Sequence, residues 1–276
     1  MKEFHIISSG VSLLLNAQKK GILYSVGFSD ESYWQEILNN PQEIENLYEF
    51  LKGSPKENSA ELNTFLRVVE NKNPQDIEVY LFGTKTASNE LCRRVLERFL
   101  KDKGYTIYTP YEVSGYFWES AKFNEDCAKD EFQKGIAELL DRLIYLAKKK
   151  IEEGYYVYFN PTGGFKAHVI ATALAGFLLN CDIYYMNEEF NRVVFLPPLF
   201  YLPKGREIKL LEILKDKMPR SGSHYKELIK TYPEEVERLE IYQLVQREKD
   251  ERGKDFRIRI TDKGLLILEK IKQLDI

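Results

Sequence analysis

The feature that most constrains this chain is a strand–turn–helix junction that recurs along it. Its fullest form follows Tyr155 to Phe159, an aromatic, β-prone run, and precedes Val169 to Leu179, a small-residue apolar run. Between them stand Asn160-Pro161-Thr162-Gly163-Gly164-Phe165-Lys166-Ala167-His168. Such a junction presents unpaired backbone N–H groups and the positive end of a helix dipole above the strand. Gly163 and Gly164 allow close approach and Lys166 adds a full charge, so an anion site, most simply for phosphate, is expected. A helix start that needs glycine only for packing would carry the same residues. The spacing excludes a Walker A loop, because Ala167 follows Lys166, and the dinucleotide fingerprint G-x-G-x-x-G is missing.

Two more junctions have the same form. Phe4-His5-Ile6-Ile7 reads as a strand, Ser8-Ser9-Gly10-Val11-Ser12 as a turn, and Leu13 to Lys20 as a helix, with Ser12 an N-cap or early-turn residue. Ile77 to Phe82 reads as a buried strand, Gly83 to Asn89 as a polar turn, and Glu90 to Lys101 as a helix. Thr84, Thr86 and Asn89 suit either a ligand or ordinary capping. Tyr105 to Tyr108 is a further short strand, and Asp130 to Glu153 a long amphipathic helix. Cys181 to Met186 and Arg192 to Leu196 read as two strands joined by an acidic turn. Ser59 caps a helix running to about Asn71. Gly21 to Pro55, polar and aromatic, reads as an excursion from the core with helical pieces at Glu31 to Leu38 and Pro41 to Leu51.

Alternating strands and helices predict an α/β fold, with a mostly parallel sheet covered on both faces. Loops at the carboxyl ends of such strands build the ligand crevice, and the three polar turns share that edge. Their convergence weighs more than any one of them.

The 276 residues are 43% apolar, enough for one large or two modest domains, and the net charge of −3 excludes a global polycation built for nucleic acid. Cys92, Cys127 and Cys181 form no CxxC pair, and His5, His168 and His224 are scattered, so no metal or other cofactor is expected. With no signal-peptide pattern at the start and no apolar run long enough to cross a bilayer, the expected location is the cytoplasm, without membrane contact.

From Pro203 the character changes. Gly205 to Met218, Ser223 to Thr231 and Pro233 to Val245 read as three helices, Phe256 to Thr261 as a strand, and Leu265 to Leu274 as a last helix. That is the order of a winged helix-turn-helix. The expected domains are therefore 1–200 and 205–276. Residues 205–276 carry 17 Lys and Arg against 15 Asp and Glu. The helix in the recognition position holds Glu234, Glu235, Glu237 and Glu240, so DNA binding is disfavoured against a dimer-contact or lid role.

Four stretches, Gly10-Val11-Ser12-Leu13-Leu14, Ser59-Ala60-Glu61-Leu62, Gly83-Thr84-Lys85-Thr86 and Asn160 to Lys166, resemble those of the CRISPR-associated Rossmann-fold (CARF) proteins, and more narrowly of their stand-alone ring nucleases. The run from Tyr184 to Pro198 also fits. The resemblance covers about residues 1–200 and implies a Rossmann-like sheet. It departs from the family in having Gly-Val-Ser where Gly-Thr-Ser is usual. The spacing from Arg220 to His224 is not that of the ribonuclease motif many such proteins carry in an attached effector, which points to the N-terminal domain as the working part.

The resemblance implies a homodimer that binds cyclic oligoadenylate, usually the tetra-adenylate, across its axis and switches off type III CRISPR signalling by cutting the ring. A ribose 2′-hydroxyl would attack the adjacent phosphodiester and leave a 2′,3′-cyclic phosphate, a route that needs no metal. Lys166 would stabilise charge on phosphorus, and Ser12 or Ser9 would position the reacting groups. Ser8, Gly10, Thr84, Thr86, Asn89, Asn160, Thr162, Gly163, Gly164 and Phe165 are the expected ligand contacts. The rival expectation is a ring-responsive transcriptional regulator that binds a promoter through its winged helix.

Overall fold

The computed structural model describes residues 2–109, 125–164, 166–187, 189–196 and 201–273. Phe165, Pro197 and Pro198 lie outside the described residues. Contacts divide the chain into two compact units, Met1–Pro197 and Pro198–Ile276.

The first unit begins with β1 (Glu3–Ser8) and α1 (Ser12–Lys19). Then come α2 (Glu31–Leu38), α3 (Pro41–Gly53), α4 (Pro55–Asn58) and α5 (Ala60–Val68) before β2 (Ile77–Phe82). α6 (Ala87–Asp102), β3 (Thr106–Ile107) and the long α7 (Glu125–Glu152) lead to β4 (Tyr156–Asn160) and α8 (Lys166–Leu178). β5 (Asp182–Asn187) and β6 (Arg192–Leu196) close the unit.

The six strands order as β3-β2-β1-β4-β5-β6, all parallel except the hairpin β5–β6. The sheet therefore grows in opposite directions from its centre, and β1 beside β4 is the point where the order switches. Registers align the ends of three strands: Ser8 sits opposite Phe82, and Ile7 opposite Asn160. The crevice of such a sheet opens above that edge.

Period-two alternation assigns the two faces. Phe4, Ile6, Tyr80, Phe82, Val157 and Phe159 pack with α7 and α8. Ile7, Val79 and Leu81 pack on the opposite side with α1, α2, α3, α5 and α6. The segment expected as an excursion belongs to this core. Trp34, Ile37 and Leu38 of α2, and Leu47, Tyr48 and Leu51 of α3, are buried within it. Their helical spacing gives each helix one apolar face, which α6 covers. Asp30 and Asn40 cap these two helices.

The second unit runs α9 (Arg206–Ile213), β7 (Arg220–Ser221), α10 (Gly222–Thr231), α11 (Pro233–Ile241), β8 (Val245–Lys249), β9 (Asp255–Ile260) and α12 (Asp262–Gln273). Its three strands form an antiparallel sheet in the order β7-β9-β8, giving the helix, helix and wing arrangement around a separate apolar core. Two boundaries differ from expectation. The third helix stops at Ile241, because Gln243 takes a positive φ of 58° and turns the chain into β8. The first stops at Ile213, well short of Met218.

Candidate functional site

Three glycines bring the β1 and β4 turns into contact. A Cβ on Gly10 would fall 2.5 Å from the Gly164 amide nitrogen. A Cβ on Gly163 would fall 2.3 Å from Glu61 Oε1 and 2.7 Å from the Ser8 carbonyl oxygen. Gly164 has φ +95°, a conformation that disfavours any side chain, and its α-carbon faces Ser8 Oγ. The close approach these glycines permit is therefore made by the protein to itself.

At the centre of that contact is Glu61, on the first turn of α5 and 1% exposed. Its Oε1 accepts from the Gly10 N–H at 2.6 Å. Its Oε2 accepts from Ser12 Oγ and from Ser59 Oγ, each at 2.8 Å. A carboxylate thus occupies ground where the turn's N–H groups were expected to meet a ligand anion. Three donors satisfy it, as a buried charge requires. In sequence Glu61 reads as an ordinary acid favouring a helix N-terminus, and local pattern does not mark it as a site residue. Nothing in the sequence says that it reaches Gly10 and Ser12, about fifty positions away.

Ser12 is the first residue of α1 but makes no capping bond to its own helix. Its hydroxyl donates to Glu61 and accepts from the Ala60 N–H at 3.1 Å. Ser12 is half-buried, whereas Ser59 is 0% exposed. Ser8 and Ser9 are buried, and neither hydroxyl has a hydrogen-bond partner among the described residues. A native protein seldom leaves buried hydroxyls unpaired, and here two adjacent ones sit at the switch point of the sheet.

The β2 turn supports this arrangement from the side. Asn89 fills the space above Gly83, where a Cβ would meet its side chain at 2.1 Å. Its amide nitrogen donates to the carbonyls of Ser9 at 2.9 Å and Gly10 at 3.3 Å. Asn89 is thus a buried brace for the β1 turn. Thr86 caps α6, accepting from the Asn89 N–H at 3.3 Å, and lies 3.3 Å from the Thr84 hydroxyl. Both threonines are half-buried beside the crevice.

On β4, the Asn160 side-chain oxygen accepts from the Thr162 N–H at 3.1 Å and from the Thr162 hydroxyl, an Asx turn that redirects the chain. Lys166 opens α8, is exposed, and makes no ion pair among the described residues. Two residues on, His168 is buried, and burial pushes its pKa down to about 4, so it is neutral at neutral pH. Burial likewise pushes the Cys92 thiol upward, with the Glu61 charge adding to the effect.

The structure thus brings together Ser8, Ser9, Gly10, Ser12, Gly163 and Gly164 around Glu61. Thr84, Thr86 and Asn89 flank them through the β1 turn, and Asn160, Thr162 and Lys166 shape the β4 side. In the second unit, Arg220 and His224 line a cavity of about 380 Å³ with Glu227 and Tyr232. Arg220 is engaged there by Asp216 Oδ2 at 2.7 Å and the Ile213 carbonyl at 2.9 Å.

Fold and site together define an α/β protein whose serine- and glycine-bearing turns meet at the switch point of a mostly parallel sheet. A family model described as CRISPR-associated protein (Cas_APE2256) matches residues 56–199, and the chain belongs to that family. Among solved structures, the crystal structure of protein VC1899 from Vibrio cholerae is similar over 78% of this chain, at 9% identity and a TM-score of 0.35. The similar region spans just under two thirds of that protein, 66% of its length. No helix among the described residues is long and apolar enough to cross a membrane.

Proposed function

We propose that this CRISPR-associated protein binds cyclic oligoadenylate at the switch-point crevice and cuts it, the ribose 2′-hydroxyl attacking the adjacent phosphodiester. The observation that carries this reading is the exposed Lys166 cation opening α8 just past the Gly163–Gly164 turn, which packs on the β1 turn that leads to the half-buried Ser12. A phosphodiester above this turn meets the exposed Lys166 cation, which suits the charge that grows on phosphoryl oxygens in the transition state.

Two further features support a ring-shaped nucleotide ligand. Ile170, Leu174 and Leu178 share the outer face of α8 at four-residue spacing and are 58%, 39% and 54% exposed. An apolar stripe on the helix that carries Lys166 suits a second copy of the chain, which would place two crevices about one axis. At the β5–β6 tip, on the same edge of the sheet, Phe190 is exposed and its N–H donates to Asn187 Oδ1 at 2.9 Å. An aromatic ring held in that position suits stacking on a base.

The test is incubation of the protein, in molar excess and in EDTA, with cyclic tetra-adenylate. The expected product is linear oligoadenylate ending in a 2′,3′-cyclic phosphate. A ring left uncut after hours rejects the reading.

One observation favours a second role for the winged-helix unit. Two of the α11 carboxylates that argued against DNA are paired, Glu235 with Arg206 Nε at 2.6 Å and Glu240 with Arg247 Nε at 2.7 Å. Their charge is partly cancelled, and the wing strand carries Arg257 and Arg259, which share Glu248 at 3.8 and 3.4 Å and remain exposed. A gel shift with and without the ring tests this, and the absence of salt-sensitive binding rejects it.

A further inference from the structure

We propose that Glu61 is the final acceptor of the proton from the reacting 2′-hydroxyl, acting through Ser12. The inference rests on the ring-cutting reading above and supplies the base that the sequence did not reveal.

The geometry allows one route. Of the three groups that donate to Glu61, the Gly10 N–H is a backbone amide and cannot relay a proton. Ser59 Oγ is fully buried. Of the two hydroxyl donors, Ser12 alone is on a residue that is not fully buried. A serine oxygen has one proton to give and two lone pairs to offer. Ser12 gives its proton toward Glu61 Oε2 and fills one lone pair with the Ala60 N–H. The second lone pair remains for an incoming hydroxyl.

The step balances. The 2′-hydroxyl passes its proton to Ser12 Oγ as Ser12 passes its own to the Glu61 carboxylate. The freed electron pair on the 2′-oxygen forms the new bond to phosphorus, the bond from phosphorus to the 5′-oxygen breaks, and the departing 5′-oxygen takes a proton from water. The hydroxide left by that water takes the Glu61 proton back through Ser12, which restores the carboxylate. Glu61 touches Ser12 and not the ring, so it is a positioning residue with a proton-accepting role. Its burial and its fixed donors hold Ser12 in one orientation, which is the condition for a relay to contribute.

The experiment uses the full chain, cyclic tetra-adenylate as probe, and single-turnover cleavage with protein in excess. Glu61→Gln suits the site: its oxygen accepts from the Gly10 N–H, and its amide faces two hydroxyls that rotate to accept. E61Q is expected to bind the ring within about threefold of the parent and melt within a few degrees of it, yet cut about a hundredfold more slowly. Because the two residues act as a unit, the double variant E61Q/S12A is expected to be no slower than the slower single one. Cleavage by E61Q within threefold of the parent overturns the proposal, as do losses that multiply in the double variant, or joint loss of binding and melting temperature. If E61Q fails to fold, Ser12→Ala decides: it leaves two of the Glu61 donors in place and must retain affinity while losing about a hundredfold in rate, and near-parental cutting overturns the relay. A parent that leaves the ring whole rejects the ring-cutting reading itself, and the relay with it.

Discussion

Gly10 and Gly164 pack backbone against backbone, so that the turn after β1 rests on the turn after β4 with no room for a methyl group between them. This contact joins the two strands that flank the switch point and sets the floor of the crevice. It also shows what the glycines are for. They let protein meet protein, and the surface left above them is what a ligand would find.

Gly163→Ala tests that packing. The new methyl would meet both a buried carboxylate and the Ser8 carbonyl, a backbone atom that cannot swing aside. Overpacking of this kind costs about 1–3 kcal/mol. Gly27→Ala, whose nearest neighbour would be Ser29 Oγ at 3.7 Å, is expected to stay within about 0.5 kcal/mol of the parent. Urea unfolding of both variants is the measurement, and equal midpoints would contradict the geometry.

Lys166→Ala separates function from stability. Lys166 is exposed and ion-pairs with no described residue, so its removal is expected to change unfolding free energy by less than about 0.5 kcal/mol. If its charge faces the phosphoryl oxygens, cleavage of cyclic tetra-adenylate falls by about 100- to 1,000-fold. Parental cleavage by this variant would remove Lys166 from the chemistry.

Leu174→Asp probes the second copy. A carboxylate in the middle of the Ile170–Leu178 stripe should dissociate a dimer built on α8, while the exposed position tolerates the change in the monomer. Light scattering coupled to size exclusion reads the mass, and an unchanged dimer mass places the interface elsewhere.

His168 predicts an acid sensitivity. Its folded pKa, pushed down to about 4 by burial, lies below the ordinary histidine value of 6.5. The unfolded chain therefore takes up this proton first as pH falls. The stabilisation is fully present above pH 6.5 and is lost as pH drops toward 4, by at most about 3 kcal/mol. His5, also held low by its burial, adds to the same trend. His168→Leu should flatten part of the fall in unfolding free energy between pH 6.5 and 4, and an unchanged slope would assign the loss to other groups.

Lys150→Met breaks a buried pair. Lys150 Nζ donates to Glu78 Oε2 at 2.7 Å and sits 4.3 Å from the centre of the Tyr108 ring. Removing the cation leaves the buried Glu78 carboxylate with the Tyr155 hydroxyl as its remaining side-chain partner, at an expected cost of about 3 kcal/mol. The double variant Lys150→Met with Glu78→Leu should recover much of that loss in urea unfolding.

The alternation of strand, polar turn and helix was enough to specify a mostly parallel sheet with its polar turns on one edge. Strand and helix periods are local properties of the chain, and a parallel crossover requires a connection over the sheet's face. The order of elements after Pro203 likewise announced a wing among helices. Two things were decided only by tertiary structure. The segment from Gly21 to Pro55 reads as a polar and aromatic excursion with helical pieces, yet α2 and α3 each bury one face, and what covers that face is α6, far along the chain. Glu61 looked like a helix-start acid, and only folding shows it bonded to Gly10 and Ser12. Hydrophobic periodicity reports which way a side chain faces within its own element. Which distant backbone N–H or hydroxyl a carboxylate meets depends on how the turns of β1 and β4 close on each other, and no local pattern encodes that closure.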